Sequence, residues 1–265
     1  DHNRTVYTFI GDRHSIAEAA YRVIDVASQL IDLSQHSGVH PRIGATDVVP
    51  FVPLRDVSMQ DCVEIAHTLG EQVAKRLQIP VYFYENAALR DERRNLAYVR
   101  RDKYEQLRQS IGSDHSRTPD LGPAVLGSAG AVAIGAREPL IAFNAYLDTS
   151  NIDIARAIAR RLRESSGGLR YVKALGLMVN GQAQVSMNVV NFRETSLFEI
   201  MQALHDAASD HQVHVVHTEI VGLVPQSALV DCALSYLQLP PKSHNLLLET
   251  QIGQVIGDYR EITFE

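Results

Sequence analysis

The chain has 265 residues, of which 45% are hydrophobic and 21% charged, and its formal net charge is −6. This is ordinary globular usage, which excludes a disordered tail, a collagen-like fibre and a coiled coil. With 25 Lys+Arg against 31 Asp+Glu there is no chain-wide basic field to hold nucleic acid, and no apolar run approaches the roughly 18–20 residues that span a bilayer.

The chain opens Asp1-His2-Asn3-Arg4 without an initiator Met, which reads as a start that is trimmed or lacks upstream sequence. Thr5–Gly11 is β-branched and aromatic and predicts a strand. Ser15-Ile16-Ala17-Glu18 reads as a capping box, followed by Ile16, Ala20, Val23, Ala27 and Leu30 at helical spacing. Residues 35–46 predict a polar loop. Asp47–Leu54 is extended and apolar, and its prolines suit an edge or a strand end. Ser58-Met59-Gln60-Asp61 opens a second helix with the stripe Cys62, Ile65, Leu69, Val73 and Leu77. Ile79–Glu85 predicts a strand. Residues 90–109, rich in arginine, read as an exposed helix or loop pair, and residues 110–130 as a long loop. Ala131–Gly135 is short and apolar.

Leu140–Leu147 predicts a strand, and residues 151–164 a helix stopped at Gly167-Gly168. Tyr171–Val179 and Gln182–Asn191 predict strands joined by an Asn180-Gly181 hairpin turn. Thr195 is placed as the cap of a helix to about Ala208. Val213–Ile220 predicts a strand, and Pro225 the first turn of a last helix to about Leu239. From residue 140 the order is the split βαβ, or ferredoxin-like, arrangement. The expectation is an α/β (α+β) chain of two lobes, 1–138 and 139–265.

The loop His36-Ser37-Gly38-Val39-His40-Pro41-Arg42-Ile43-Gly44 combines groups that titrate near neutral pH with a guanidinium fork suited to a carboxylate. Its other reading is a surface turn with incidental polar residues. His36 and His40 do not make a zinc pair, since Gly38 and Pro41 break any helix and no third ligand is apparent. His211, His214 and His217 alternate along a strand-like run and read as edge or solvent residues. The loop from Asp120 to Gly130 lacks both GxGxxG and a phosphate-loop signature. It reads either as a flexible connector or as a small-residue surface for a flat ligand. No GxSxG nucleophile elbow occurs. Cys62 and Cys232 sit on apolar helix stripes and read as core. Two thiols make no disulfide framework and fit a reducing cytoplasm. The arginines at 90–108 read as a solvated face.

Asn3-Arg4-Thr5-Val6-Tyr7-Thr8-Phe9-Ile10-Gly11, then His40-Pro41-Arg42-Ile43-Gly44-Ala45 with Asp47, resemble the formiminotransferase domain. Pro80-Val81-Tyr82, Gly122-Pro123, Gly135-Ala136-Arg137, Leu140–Asn144, Gln184-Val185-Ser186 with Asn188, and Val221–Pro225 continue the likeness in order. The resemblance implies two ferredoxin-like α/β sandwich subdomains with a folate cleft between them. It implies transfer of the formimino group of N-formimino-L-glutamate to N5 of tetrahydrofolate, the co-substrate, without a metal. It places the catalytic histidine at His40 and demotes His36 to a neighbour. It places the folate-binding stretch at Asp120, Gly122, Pro123, Gly127, Ser128 and Gly130, where this chain lacks the family's usual aromatic. Arg42 is the first choice for a substrate carboxylate and Arg137 the second. The resemblance also implies roughly 40 residues ahead of the Asn-Arg-Thr motif, about one strand-helix-strand unit, and channelling to a fused cyclodeaminase is not expected. A cytoplasmic homodimer, with small-molecule substrates and neither nucleic acid nor membrane as partner, is expected. The rival readings are a 5-formyltetrahydrofolate cyclo-ligase-like activity and a truncated, non-catalytic folate-binding module.

Overall fold

The computed structural model describes residues 2–38 and 40–256; Asp1, residues 257–265, and Val39 of the predicted loop lie outside the described residues. The chain forms two compact units that divide between Pro139 and Leu140.

The first unit runs α1 (Ser15–Leu30), β1 (Asp47–Phe51), α2 (Met59–Leu77), β2 (Val81–Glu85), α3 (Leu96–Val99), α4 (Lys103–Ser110) and β3 (Val132–Ala136). Its strands are parallel, in the order β1-β3-β2. The sheet is covered on both faces, as parallel sheets are. Val81, Phe83, Val132 and Ile134 face the cluster built with α1 and α2. Tyr82, Tyr84 and Ala133 face the opposite cluster, with Tyr104 and Leu107 of α4. The small residues of β3 are all buried, since the strand is central. Ala131–Gly135 shows no alternation in sequence because neither of its faces meets water. β1 is the edge strand that its prolines predicted, where a missing N–H costs nothing in the ladder.

α2 starts as predicted: Ser58 accepts from the Asp61 N–H and the Asp61 carboxylate accepts from Ser58 N. Ser58→Ala is expected to cost about 1 kcal/mol in a denaturation midpoint, with little effect on any binding property. α1 starts differently. The carboxylate of Asp12, not Ser15, accepts from the N–H groups of His14 and Ser15. Its buried side chains are Ala20 and Ile24, while Val23 and Leu30 of the predicted stripe are exposed.

The predicted strand Thr5–Gly11 is not a strand. Tyr7 is 76% exposed and Ile10 75%. β-propensity describes fit to a paired, half-buried surface, and among the described residues no strand pairs with this segment.

The second unit runs β4 (Ile141–Leu147), α5 (Ile152–Leu162), β5 (Val172–Val179), β6 (Gln182–Val189), α6 (Leu197–Asp210), β7 (Val215–Ile220), α7 (Gln226–Tyr236) and α8 (Leu248–Val255). The antiparallel order β5-β6-β4-β7 is the ferredoxin-like arrangement expected from residue 140 onward. Asn180 and Gly181 both take positive φ at the hairpin turn. Ile158 and Leu162 of α5 and Ile200 and Leu204 of α6 close one face of the sheet. Two details shift by a residue. Ser196, with Glu199, caps α6, while the Thr195 hydroxyl donates to Arg170 O at 2.7 Å. Pro225 is the residue before α7 rather than its first turn. The α/β two-subdomain class therefore stands; the ferredoxin-like topology belongs to the second unit, whereas the three strands of the first are all parallel. No helix of the described residues is long and apolar enough to cross a membrane.

Candidate active site

The HPR loop is held from both sides. Arg42 is buried, and its fork grips Glu105 of α4, with Nη1 donating to Oε2 at 3.0 Å and Nη2 to Oε1 at 2.6 Å. Its Nε donates to His36 Nδ1 at 3.0 Å and Nη2 to His36 O at 2.8 Å. These hydrogen bonds hold the Glu105 carboxyl below the usual carboxylate range. The predicted carboxylate fork is thus already engaged, as a clamp that fastens the loop to α4. His36 has both ring nitrogens in use, since Nε2 also donates to Asn3 O at 2.8 Å.

His40 has a different environment. It is half-buried, beside the start of β1, and the charged groups that face it are Arg4, Arg100 and Asp47. Arg4 Nη1 contacts His40 Nδ1, and the same Nδ1 lies 3.0 Å from Pro41 O. Asp47 binds three ways: Oδ1 accepts from Ile43 N at 2.7 Å, while Oδ2 lies 3.0 Å from Arg100 Nη1 and 3.4 Å from Arg4 Nη2. Burial, and then the Arg4 charge, push the His40 imidazole down to about 4. The unfolded ring titrates near about 6.5. Between those values the unfolded chain binds more protons, so His40 removes stability as pH falls from about 6.5 towards 4. An NMR titration is expected to place its midpoint near 4, well below that of an exposed histidine; a midpoint near 6.5 removes the buried, arginine-facing ring.

The glycine-rich loop meets this segment backbone to backbone. Ala131 N donates to Ile43 O at 2.9 Å and Ala45 N to Ala129 O at 2.8 Å. Gly44 and Gly130 pair across the contact, and a Cβ on either would collide with the backbone of the other segment. Close approach is therefore the reason for these two glycines, and it brings the loop to within a few residues of His40. The loop's other end is anchored internally. The Asp120 side chain is buried, its Oδ1 2.5 Å from Arg93 Nη1 and its Oδ2 accepting from Phe83 N at 2.8 Å. Of the predicted folate-binding residues, Asp120 is half-buried with its carboxylate engaged, Gly122 is exposed beside Ile79 O, and Pro123 is half-buried. Gly127 and Ser128 stand exposed at the tip, with Gly127 O accepting from Tyr104 Oη at 3.2 Å and Ser128 O from Leu33 N at 2.8 Å.

Arg137 lies elsewhere. It follows β3, where its N–H donates to Phe51 O at 3.0 Å, and its Nη1 donates to Glu138 O at 2.9 Å. β1 runs from Asp47, paired with Val132, to Phe51, paired with Ala136. The Arg137 side chain also hydrogen-bonds Tyr84, whose hydroxyl feels the Arg100 charge as well.

Sequence reasoning assigned no role to Arg4, Asp47 or Arg100. Arg4 and Asp47 were visible only as matched letters, and Arg100 was one arginine in a charged run. Arg93 belongs to the run that reads as a solvated face and Arg117 to the stretch that reads as a long loop, yet each is 1% exposed. Arg93 lies over the Tyr82 ring at 5.0 Å, and Arg117 Nε lies 2.8 Å from Asp102 Oδ2. Among the described residues no group of three or more His, Cys, Asp or Glu is arranged to hold a metal ion.

Residues 1–137 match the model of the formiminotransferase domain, N-terminal subdomain, and residues 142–256 match that of the formiminotransferase domain. The chain is 44% identical over 255 residues to a glutamate formimidoyltransferase of Streptococcus pyogenes, covering 95% of this chain and 85% of that protein. It is 43% identical over 256 residues to a glutamate formimidoyltransferase of Thermoplasma acidophilum, covering 95% and 84%. A formimidoyltransferase-cyclodeaminase of Mus musculus is 41% identical over 243 residues, which is 88% of this chain and 44% of that protein. The fold and these matches define a two-subdomain α/β transferase. The chain belongs to the formiminotransferase family.

Proposed function

We propose that this chain is a glutamate formiminotransferase that moves the formimino group of N-formimino-L-glutamate to N5 of tetrahydrofolate, with His40 as the proton carrier. The observation that carries the reading is the family match across both units, in a chain whose HPR loop is intact and clamped. In the transfer, N5 attacks the formimino carbon, and the carbon–nitrogen bond to glutamate then breaks. N5 must shed a proton and the departing amine must gain one. A ring that is neutral at the outset can do both, taking the first proton and returning it to the glutamate nitrogen. The low proton affinity of His40 supplies that neutral form throughout the physiological range. The exposed tip at Gly127 and Ser128 is our choice for contact with the pterin, since its backbone neighbours are already satisfied. Arg42 is left out of substrate binding because Glu105 occupies it; Arg137 remains for a second carboxylate. A homodimer in a reducing cytoplasm is the setting we propose.

The test mixes the protein with tetrahydrofolate and N-formimino-L-glutamate and follows glutamate release and 5-formiminotetrahydrofolate. Turnover is expected without ATP. Folate binding with no turnover would make the chain a binding module, and ATP-dependent consumption of 5-formyltetrahydrofolate alone would make it a cyclo-ligase.

A further inference from the structure

Asp47 is one carboxylate facing two guanidinium groups. Its Oδ2 is shared by Arg100 at 3.0 Å and Arg4 at 3.4 Å, and its Oδ1 is committed to Ile43 N. Among the described residues the charges that act on the neutral His40 ring are these three, two positive and one negative, which sum to one positive charge. Arg100 Nη1 also reaches Pro41 O at 3.4 Å, which ties it to the loop. Arg4 is the less anchored of the two, and its Nη1 spends a charged donor on an uncharged ring nitrogen.

That contact has a chemical consequence. A guanidinium only donates, so the Nδ1 that meets Arg4 must be the accepting nitrogen, and the ring proton then sits on Nε2. The same Nδ1 lies 3.0 Å from Pro41 O, a partner that only an N–H can satisfy. One nitrogen cannot hold both bonds. The ring therefore has two mutually exclusive states. In one, Arg4 holds Nδ1 and Nε2 has no lone pair to offer. In the other, Nδ1–H donates to Pro41 O and Nε2 is free to take a proton.

We propose that Arg4 is the carboxylate-binding residue beside His40 and a latch on it: a substrate carboxylate draws Arg4 away from Nδ1, and the ring then re-bonds to Pro41 O with Nε2 open. The inference rests on the formiminotransferase reading and deepens it. The ring stays neutral in the exchange: one proton leaves Nε2 for solvent and one arrives at Nδ1. The arriving anion also cancels the spare charge, which raises the basicity of Nε2 as the substrate binds. An enzyme built this way has its base unavailable until the cluster is filled. Two sources supply the carboxylate, formiminoglutamate itself and the glutamyl end of the folate.

The experiment combines histidine ¹⁵N NMR at neutral pH with steady-state kinetics. Free protein is expected in the Nε2–H form. Saturating L-glutamate, or Arg4→Gln without ligand, is expected to convert His40 to the Nδ1–H form. Arg4→Gln is expected to raise one substrate KM about 10- to 100-fold, the loss of a charge-assisted hydrogen bond. A rise for formiminoglutamate assigns the carboxylate to that substrate, and a rise for tetrahydrofolate assigns it to the folate tail. Arg4→Lys, which keeps the charge without the fork, is expected to restore part of the loss. A parent chain that turns over, with neither KM nor tautomer altered in Arg4→Gln, overturns the latch and leaves the transferase reading standing. A tautomer that switches with L-glutamate in a chain without turnover upholds the latch and overturns the reading of the reaction.

Discussion

His40→Asn is expected to lower kcat for formimino transfer about 10²- to 10⁴-fold, the usual worth of a positioned acid–base group. The KM values are expected to change by no more than about 3-fold, because the ring acts on protons in transit rather than on bound substrate. The loop itself is fastened by Arg42 on Glu105 and by Gly44 against Gly130, none of which needs the imidazole. The variant is therefore expected to keep its fold, which its circular dichroism and melting temperature check. A change confined to KM, or kcat within about 3-fold of the parent, would remove His40 from the chemistry.

Arg93→Ala is expected to destabilise the first unit by about 3–5 kcal/mol, measured by urea unfolding. Removing Arg93 leaves Asp120, whose side chain is only 2% exposed, with just the longer 3.9 Å contact to Arg90 Nε. The arginine also donates to Thr118 O at 2.5 Å and packs over Tyr82, whose hydroxyl donates to Arg117 O at 2.5 Å. Burial pushes that hydroxyl up to about 12, so it stays a donor at any physiological pH. These contacts attach residues 90–120 to β2. Arg93→Met with Asp120→Asn is expected to recover part of the loss, since no charge is then stranded and Asn still accepts from Phe83 N. A loss under about 1 kcal/mol in Arg93→Ala would mean that water reaches Asp120 and the pair is not structural.

Much of the architecture was readable because periodicity and caps are local. The α2 stripe, the Ser58 cap, the Asn180-Gly181 hairpin and the split βαβ order each follow from residues within a few positions of one another. Strands misled where their environment was unusual. Thr5–Gly11 has the composition of a strand but no pairing partner among the described residues, whereas Ala131–Gly135 lacks alternation because it is covered on both sides.

The candidate site divides in the same way. His40, its loop and the glycine-rich segment were identifiable as reactive or unusual residue types in a short span. Their partners were not. In sequence Arg42 reads as an open fork, whereas Glu105, 63 positions away, occupies it. Asp120 reads as available, whereas Arg93 lies against it. The family, and with it the reaction, could be read from ordered short motifs. Which charges are spent on one another, and which are left over for a ligand, could not, because pairing depends on contacts across tens of residues that only folding brings within hydrogen-bond reach.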